Sequence, residues 1–278
     1  MKLRSFLFVP GDRPERIEKA LLSGADAVIV DLEDSVAPQR KAFARECLSE
    51  RFAAGASSVP LFVRINPLYS DDLEDDLNVV RGGALTGIVL PKAESGSCVS
   101  RLIEKLGSGS SAVILPIATE TPRAIFGLGT YDRLDGRLCA LTWGAEDLPA
   151  AVGAFGSRDA EGRFTAPYEL ARSLALFGAS AAGVPAIETV FPDVHDLKGL
   201  RAYAMQGKRD GFSGMLAIHP SQVAVINDSF RPTADELELA REIVALFSSN
   251  PGAGALQHRG RMVDRPHFAL ALRVLSRE

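Results

Sequence analysis

Eight short apolar runs, rich in Val, Ile and Leu, recur along the 278 residues with helix-like segments between them. They cover residues 5–9, 27–31, 61–65, 86–90, 112–117, 138–142, 185–188 and 215–218. Their interiors do not alternate apolar and polar side chains, which is how strands buried on both faces read. The intervening segments carry helix punctuation. Residues 13–23 have Pro14 near the start and Gly24 just past the end, and the amphipathic stretch 39–54 stops before Gly55. Residues 169–178 and 196–205 continue the alternation. Eight strands alternating with helices predict an α/β fold, a (β/α)8 TIM barrel. An open doubly wound sheet is the second choice. It needs fewer strands, and no Gly-x-Gly-x-x-Gly follows any of these runs.

Two segments fall outside the repeat. Residues 154–167 are polar and read as a long loop over the barrel mouth. Beyond Asn227 come a helix at 234–247, a Gly/Ala/Ser-rich stretch at 248–256 and a last helix at 268–275. The chain therefore divides into a barrel domain, 1–230, and a C-terminal helical extension or lid, 231–278. A net charge of −4 gives no sign of nucleic-acid binding, and no stretch is long enough to span a membrane. The first apolar run is too short for a signal peptide. Cys47, Cys98 and Cys139 are odd in number and scattered, fitting neither a disulfide framework nor a zinc site. The expected location is the cytoplasm.

In a barrel of this kind, chemistry sits at the carboxyl ends of the strands. The first run ends at Phe8-Val-Pro-Gly-Asp-Arg13, the second at Asp31-Leu-Glu33-Asp34-Ser35 and the third at Arg64-Ile-Asn66. The fourth ends at Pro91-Lys92-Ala-Glu94 and the eighth at Ile218-His219-Pro220. The fifth and sixth deliver Glu120 and Asp147, 27 positions apart in sequence but on adjacent strands. Two carboxylates at one end of a barrel want a cation between them, because buried charge without a partner is costly. Hard oxygen ligands favour magnesium, which binds through one or two carboxylates and keeps several waters. The bland alternative is two acids at helix N-termini. Plainer roles also stand for the other residues. Arg64 would be a partner for the neighbouring acids, Lys92 a surface ion pair and His219 an anchor for the last barrel helix. No Gly-x-Ser-x-Gly elbow appears, which argues against acyl-enzyme hydrolysis.

Together these motifs resemble the citrate lyase beta-subunit-like family, in the HpcH/HpaI aldolase superfamily that includes malyl-CoA and citramalyl-CoA lyases. The resemblance runs nearly the whole length. It rests on Leu7-Phe-Val-Pro-Gly-Asp-Arg-Pro-Glu-Arg16, Val30-Asp-Leu-Glu-Asp-Ser35, Val63-Arg-Ile-Asn66, Leu90-Pro-Lys-Ala-Glu94, Glu120-Thr-Pro-Arg123, Trp143-Gly-Ala-Glu-Asp-Leu148, Ile218-His-Pro-Ser-Gln222 and Gly260-Arg-Met-Val-Asp-Arg-Pro266.

The resemblance implies a magnesium-dependent enzyme that makes or breaks a carbon–carbon bond next to a CoA thioester. It assigns the metal to Glu120 and Asp147, and the substrate carboxylate and carbonyl to Arg64. Glu33 and Asp34 become acids near the metal waters, and Phe8, Arg13 and Lys19 hold the CoA nucleotide. Lys92 and His219 are further substrate or CoA candidates. Asp264 matches an acid that a neighbouring subunit brings over the site, which implies a homo-oligomer, a trimer or hexamer. Related 2-oxo acid aldolases place a histidine just after the second strand, where this chain has Asp34. That favours a 3-hydroxyacyl-CoA substrate yielding an acyl-CoA and a 2-oxo acid. A citrate lyase beta subunit acting on a citryl-acyl carrier protein and an aldolase for free hydroxy acids are the alternatives.

Overall fold

The computed structural model describes residues 3–132, 134 and 136–278. It shows eight parallel strands: β1 (Ser5–Pro10), β2 (Ala27–Asp31), β3 (Leu61–Arg64), β4 (Gly87–Leu90), β5 (Val113–Pro116), β6 (Leu141–Thr142), β7 (Ala186–Glu188) and β8 (Gly214–Ala217). They pair in the order β5-β4-β3-β2-β1-β8-β7-β6, and all these pairings are parallel. Two isolated parallel bridges, Ile114 to Leu138 and Ile117 to Thr142, join β5 to β6 and close the ring. The chain is a TIM barrel.

The inward positions are apolar along most of the barrel and charged at one end. Phe6, Ala27, Ile29, Phe62, Val89, Leu115, Ile117, Ala140, Ile187 and Leu216 fill the interior. Phe6 and Phe62 meet edge to face, with ring centroids 5.5 Å apart. The Phe62 ring needs a glycine beside it, since a Cβ on Gly87 would lie 2.5 Å from the ring. The next inward residues along β2 and β3, Asp31 and Arg64, face each other in register. The core thus gives way to charge at the carboxyl ends of the strands.

The strands alternate with helices α1 (Pro14–Leu21), α2 (Lys41–Ala53), α3 (Leu73–Arg81), α4 (Gly96–Leu106), α5 (Pro122–Gly127), α6 (Asp147–Val152), α7 (Ala166–Ala181), α8 (Leu197–Asp210) and α9 (Pro220–Phe230). Two differ from the lengths expected. α7 starts earlier because Pro167 fits its first turn, and α8 runs on to Gly211, whose φ of 121° ends it.

From Phe230 onward the chain forms its own compact unit. It holds α10 (Ala234–Ser248), an antiparallel hairpin of β9 (Ala255–His258) and β10 (Arg261–Asp264), and α11 (Arg265–Leu275). Its core is Ala240, Ile243, Phe247, Val263 and Ala271. The two expected helices are present, and the hairpin occupies the span between them, for which the sequence predicted no regular element. Its turn residues Arg259 and Gly260 both have positive φ, 46° and 76°, as a tight two-residue hairpin turn demands. Among the described residues, no helix is long and apolar enough to cross a membrane.

Candidate active site

At the carboxyl ends of the strands lies a cavity of about 290 Å³, lined among others by Phe8, Asp31, Asp34, Arg64, Glu120, Trp143, Gly144 and Asp147. Its charged wall is built outward from Asp31, the last residue of β2, which is 1 % exposed. Asp31 accepts backbone N–H bonds from Glu33 at 2.9 Å and Ser35 at 3.0 Å, which folds the Leu32–Ser35 turn back over the strand end. Arg64, the last residue of β3, donates to Asp31 through Nε and Nη2, both at 2.6 Å. Burial alone would raise the Asp31 carboxyl, but the Arg64 charge and its two bonds hold it below its ordinary range. Arg64 is held protonated by the same pair. Its Nη1 points to Glu33 at 3.1 Å and Asp34 at 3.8 Å, and its guanidinium lies 4.9 Å above the Phe8 ring.

Glu120 enters from the loop after β5. It is 4 % exposed, and burial pushes its carboxyl up to about 8. The Lys92 amide, donating to Glu120 Oε2, pulls the other way, and the charges of Asp147 and Glu33 add to the rise. Glu120 packs over Gly144, where a Cβ would come within 2.9 Å of its Cγ, so the loop after β6 must be glycine there. Thr119 Oγ1 accepts from the Gly144 amide and donates to its carbonyl, at 3.0 and 2.9 Å, fastening the two loops together. Three residues on, Asp147 begins α6 and faces the cavity.

Lys92 connects the acids. Its ammonium lies 2.5 Å from Glu33 and 3.8 Å from both Asp34 and Asp147. Burial pushes Glu33 up to about 6 against the pull of Arg64, and its Oε2 has no hydrogen-bond partner. Negative charge therefore outruns the two cations, Arg64 and Lys92, and a further cation fits here. Among the described residues, no group of three or more His, Cys, Asp or Glu forms a ready-made cage. A pair of carboxylates completed by water or substrate is the arrangement hard divalent cations accept.

Phe8, Asp34, Arg64, Glu120 and Asp147 line the cavity, and Glu33 and Lys92 adjoin it through the contacts above. The remaining candidates are not among the residues that line this cavity. Arg13 precedes α1 and pairs with Asp12 at 3.7 Å. Lys19 is exposed in the last turn of α1, roughly 7.5 Å further along the helix axis than Pro14. His219 is exposed, its Nδ1 sharing a 2.7 Å hydrogen bond with the Ser221 hydroxyl at the start of α9. Asp264 caps α11 in the C-terminal unit, with its carboxylate 2.5 Å from the His267 ring. The loop at 154–167, expected over the mouth, contributes nothing to the cavity lining, and its last two residues belong to α7. It is a tight turn bridged from Arg158 to Phe164, and Phe164 packs 5.1 Å from Trp143.

Sequence reading missed one further group. Glu188, the last residue of β7, is fully buried and accepts from Trp143 Nε1, the Tyr203 hydroxyl and the Thr189 amide. Arg172 from α7 lies 2.7 Å from it. Trp143 and Thr189 both line the cavity, so Glu188 fixes two of its walls. An acid ending an apolar strand was the available signal.

Comparison with known proteins matches residues 4–220 to the family model described as HpcH/HpaI aldolase/citrate lyase. The chain belongs to this family. It is accordingly an enzyme of the lyase class. A citrate lyase subunit beta-like protein of Mycobacterium tuberculosis is 37 % identical over 272 residues, covering 98 % of this chain and 94 % of the relative. The crystal structure of protein CitE from the same organism, in complex with magnesium, acetoacetate and coenzyme A, superposes with a TM-score of 0.82. Its identity is 34 %, with coverage of 99 % of this chain and 97 % of that one. A (3S)-malyl-CoA thioesterase of Cereibacter sphaeroides is 29 % identical over 281 residues, covering 99 % of this chain and 94 % of the relative.

Proposed function

We propose that this family member is a magnesium-dependent lyase cleaving a 3-hydroxyacyl-CoA of the malyl-, citramalyl- or methylmalyl-CoA type to an acyl-CoA and a 2-oxo acid, or running the reverse condensation. The observation that carries it is one cavity shared by buried Glu120, Asp147 and the Arg64 guanidinium. The CitE complex with magnesium, acetoacetate and coenzyme A supports the ligand classes.

Glu120 and Asp147 would hold the magnesium, whose contribution when bound is Lewis-acid polarisation of the substrate's hydroxyl or carbonyl oxygen. Arg64, with two nitrogens committed to Asp31, turns Nη1 toward the acids and stabilises the alkoxide left when the substrate hydroxyl gives its proton to solvent water, the oxygen that becomes the 2-oxo acid carbonyl as the carbon–carbon bond breaks. Phe8 fixes the height of that guanidinium. The departing fragment is an acyl-CoA enolate that takes a proton on carbon. Asp264 from a neighbouring subunit of a trimer or hexamer is the acid assigned to this step. Glu33 and Asp34 would orient waters on a bound cation, and Arg13 and Lys19 would supply charge to the CoA phosphates. The barrel, residues 1–230, carries the chemistry, and residues 231–278 serve as the lid.

The test is a substrate panel with purified protein and magnesium. Release of acyl-CoA and 2-oxo acid from a CoA thioester supports the reading. Activity confined to citryl-acyl carrier protein or to free hydroxy acids overturns it.

A further inference from the structure

Lys92 stands two residues after β4, beyond Pro91, with a φ of 51°, a left-handed conformation that glycine adopts freely and a lysine adopts at a cost. Arg259, in the hairpin turn, is the other non-glycine residue with positive φ among those described. A strained residue at a strand end is held there by what surrounds it. At Lys92 the surroundings are acids. Its ammonium meets Glu33 at 2.5 Å and reaches Asp34 and Asp147 at 3.8 Å each, while its own amide binds Glu120. The other nearby cation, Arg64, gives its fork to Asp31. Its remaining nitrogen, Nη1, reaches Glu33 at 3.1 Å and Asp34 at 3.8 Å, so four carboxylates, of Glu33, Asp34, Glu120 and Asp147, share the Lys92 charge and that one arm of Arg64.

We propose that Lys92 is the resident counter-ion of this acid cluster, a positioning residue that sets how tightly the Glu120–Asp147 pair takes up a divalent cation. The inference rests on the cation reading above. The ammonium and an incoming dication draw on the same negative charge, so they oppose each other. Glu33 pulls the ammonium to one side and leaves it 3.8 Å from Asp147, so the acids stay assembled without being sealed by an internal salt bridge. The amide clamp on Glu120 belongs to the main chain and survives replacement of the side chain.

The experiment is magnesium titration calorimetry at pH 8.5 on the full-length protein and on Lys92→Gly, Lys92→Met and Lys92→Arg. Glycine suits the backbone angle, so Lys92→Gly removes the charge even where methionine disturbs folding. Both neutral variants are expected to bind magnesium about tenfold more tightly than the parent. Lys92→Arg should stay near the parent value. Thermal melting gives a second readout. Without magnesium the neutral variants should melt lower, and saturating magnesium should raise their Tm more than it raises the parent's. Unchanged or weaker binding by Lys92→Gly overturns the proposal, as does Lys92→Arg moving with the neutral variants. Absence of saturable magnesium binding in the parent protein overturns the cation reading itself, a separate result.

Discussion

Replacing Arg64 by Ala should destabilise the fold before it reveals anything about chemistry. The side chain makes two 2.6 Å bonds to Asp31, a carboxylate that is 1 % exposed. Removing one partner of a buried ion pair costs about 3–5 kcal/mol. Asp31 keeps its two backbone N–H bonds from Glu33 and Ser35, which places the expected loss near the lower end, about 3 kcal/mol. Arg64→Lys retains charge but loses the fork, giving up one charge-assisted bond, about 2 kcal/mol. The neutral pair Asp31→Asn with Arg64→Met removes both charges and should return to within about 1 kcal/mol of the parent. Urea unfolding without magnesium measures all four proteins. Activity separates the roles, because the neutral double variant should regain stability and stay inactive. A loss below about 1 kcal/mol for Arg64→Ala would refute the buried-pair argument. Turnover by the double variant would show that Arg64 serves the fold alone.

Three further outcomes follow from the same geometry. The metal-free protein should lose stability as pH rises from about 4.5 toward 8, on the order of 4 kcal/mol, because folded Glu120 keeps its proton to about 8 while the unfolded carboxyl releases it near 4.5. Glu120→Gln or saturating magnesium should flatten that slope, and a flat profile for the parent protein would contradict it. Glu188→Gln should red-shift the emission of Trp143, the chain's only tryptophan, and weaken magnesium binding, since the indole anchor precedes the Gly144–Asp147 turn; unchanged emission and affinity would leave Glu188 with no part in the site. Asp264→Ala should lower Tm slightly as the α11 cap goes, and should regain activity when its subunits are exchanged with those of Asp147→Ala. No recovery despite proven exchange would end the shared-site reading.

The barrel was legible because its strands are buried on both faces and read as unbroken Val/Ile/Leu runs, and most of their boundaries fall within a residue or two of the structure. The run at 138–142 contracts to Leu141–Thr142, with Leu138 holding only an isolated bridge, because closure to β5 runs through bridges and not a ladder. The hairpin at residues 255–264 was hidden because its turn is Arg-Gly in place of the usual Asn-Gly. Strand-end position singled out Glu33, Asp34, Arg64, Lys92, Glu120 and Asp147, which the fold gathers. The plainer reading of Arg64 as a partner for the neighbouring acids also holds, since its fork is spent on Asp31. The Glu188 cluster joins residues 143, 172, 188 and 203, a grouping that exists only once β6, β7, α7 and α8 are packed. Asp264 and His219 stand at helix starts, and in this structure each satisfies a cap.

The central claim is carbon–carbon cleavage at the Glu120–Asp147 pair. The most direct measurement incubates the protein with one 3-hydroxyacyl-CoA that it consumes and quantifies 2-oxo acid, acyl-CoA and free CoA together, with magnesium, with chelator, and in Asp147→Ala. Equal amounts of 2-oxo acid and acyl-CoA are expected with magnesium, and neither product with chelator or in Asp147→Ala. Free CoA and hydroxy acid without any 2-oxo acid would mean thioester hydrolysis alone, and turnover surviving in Asp147→Ala would remove the carboxylate pair from the chemistry.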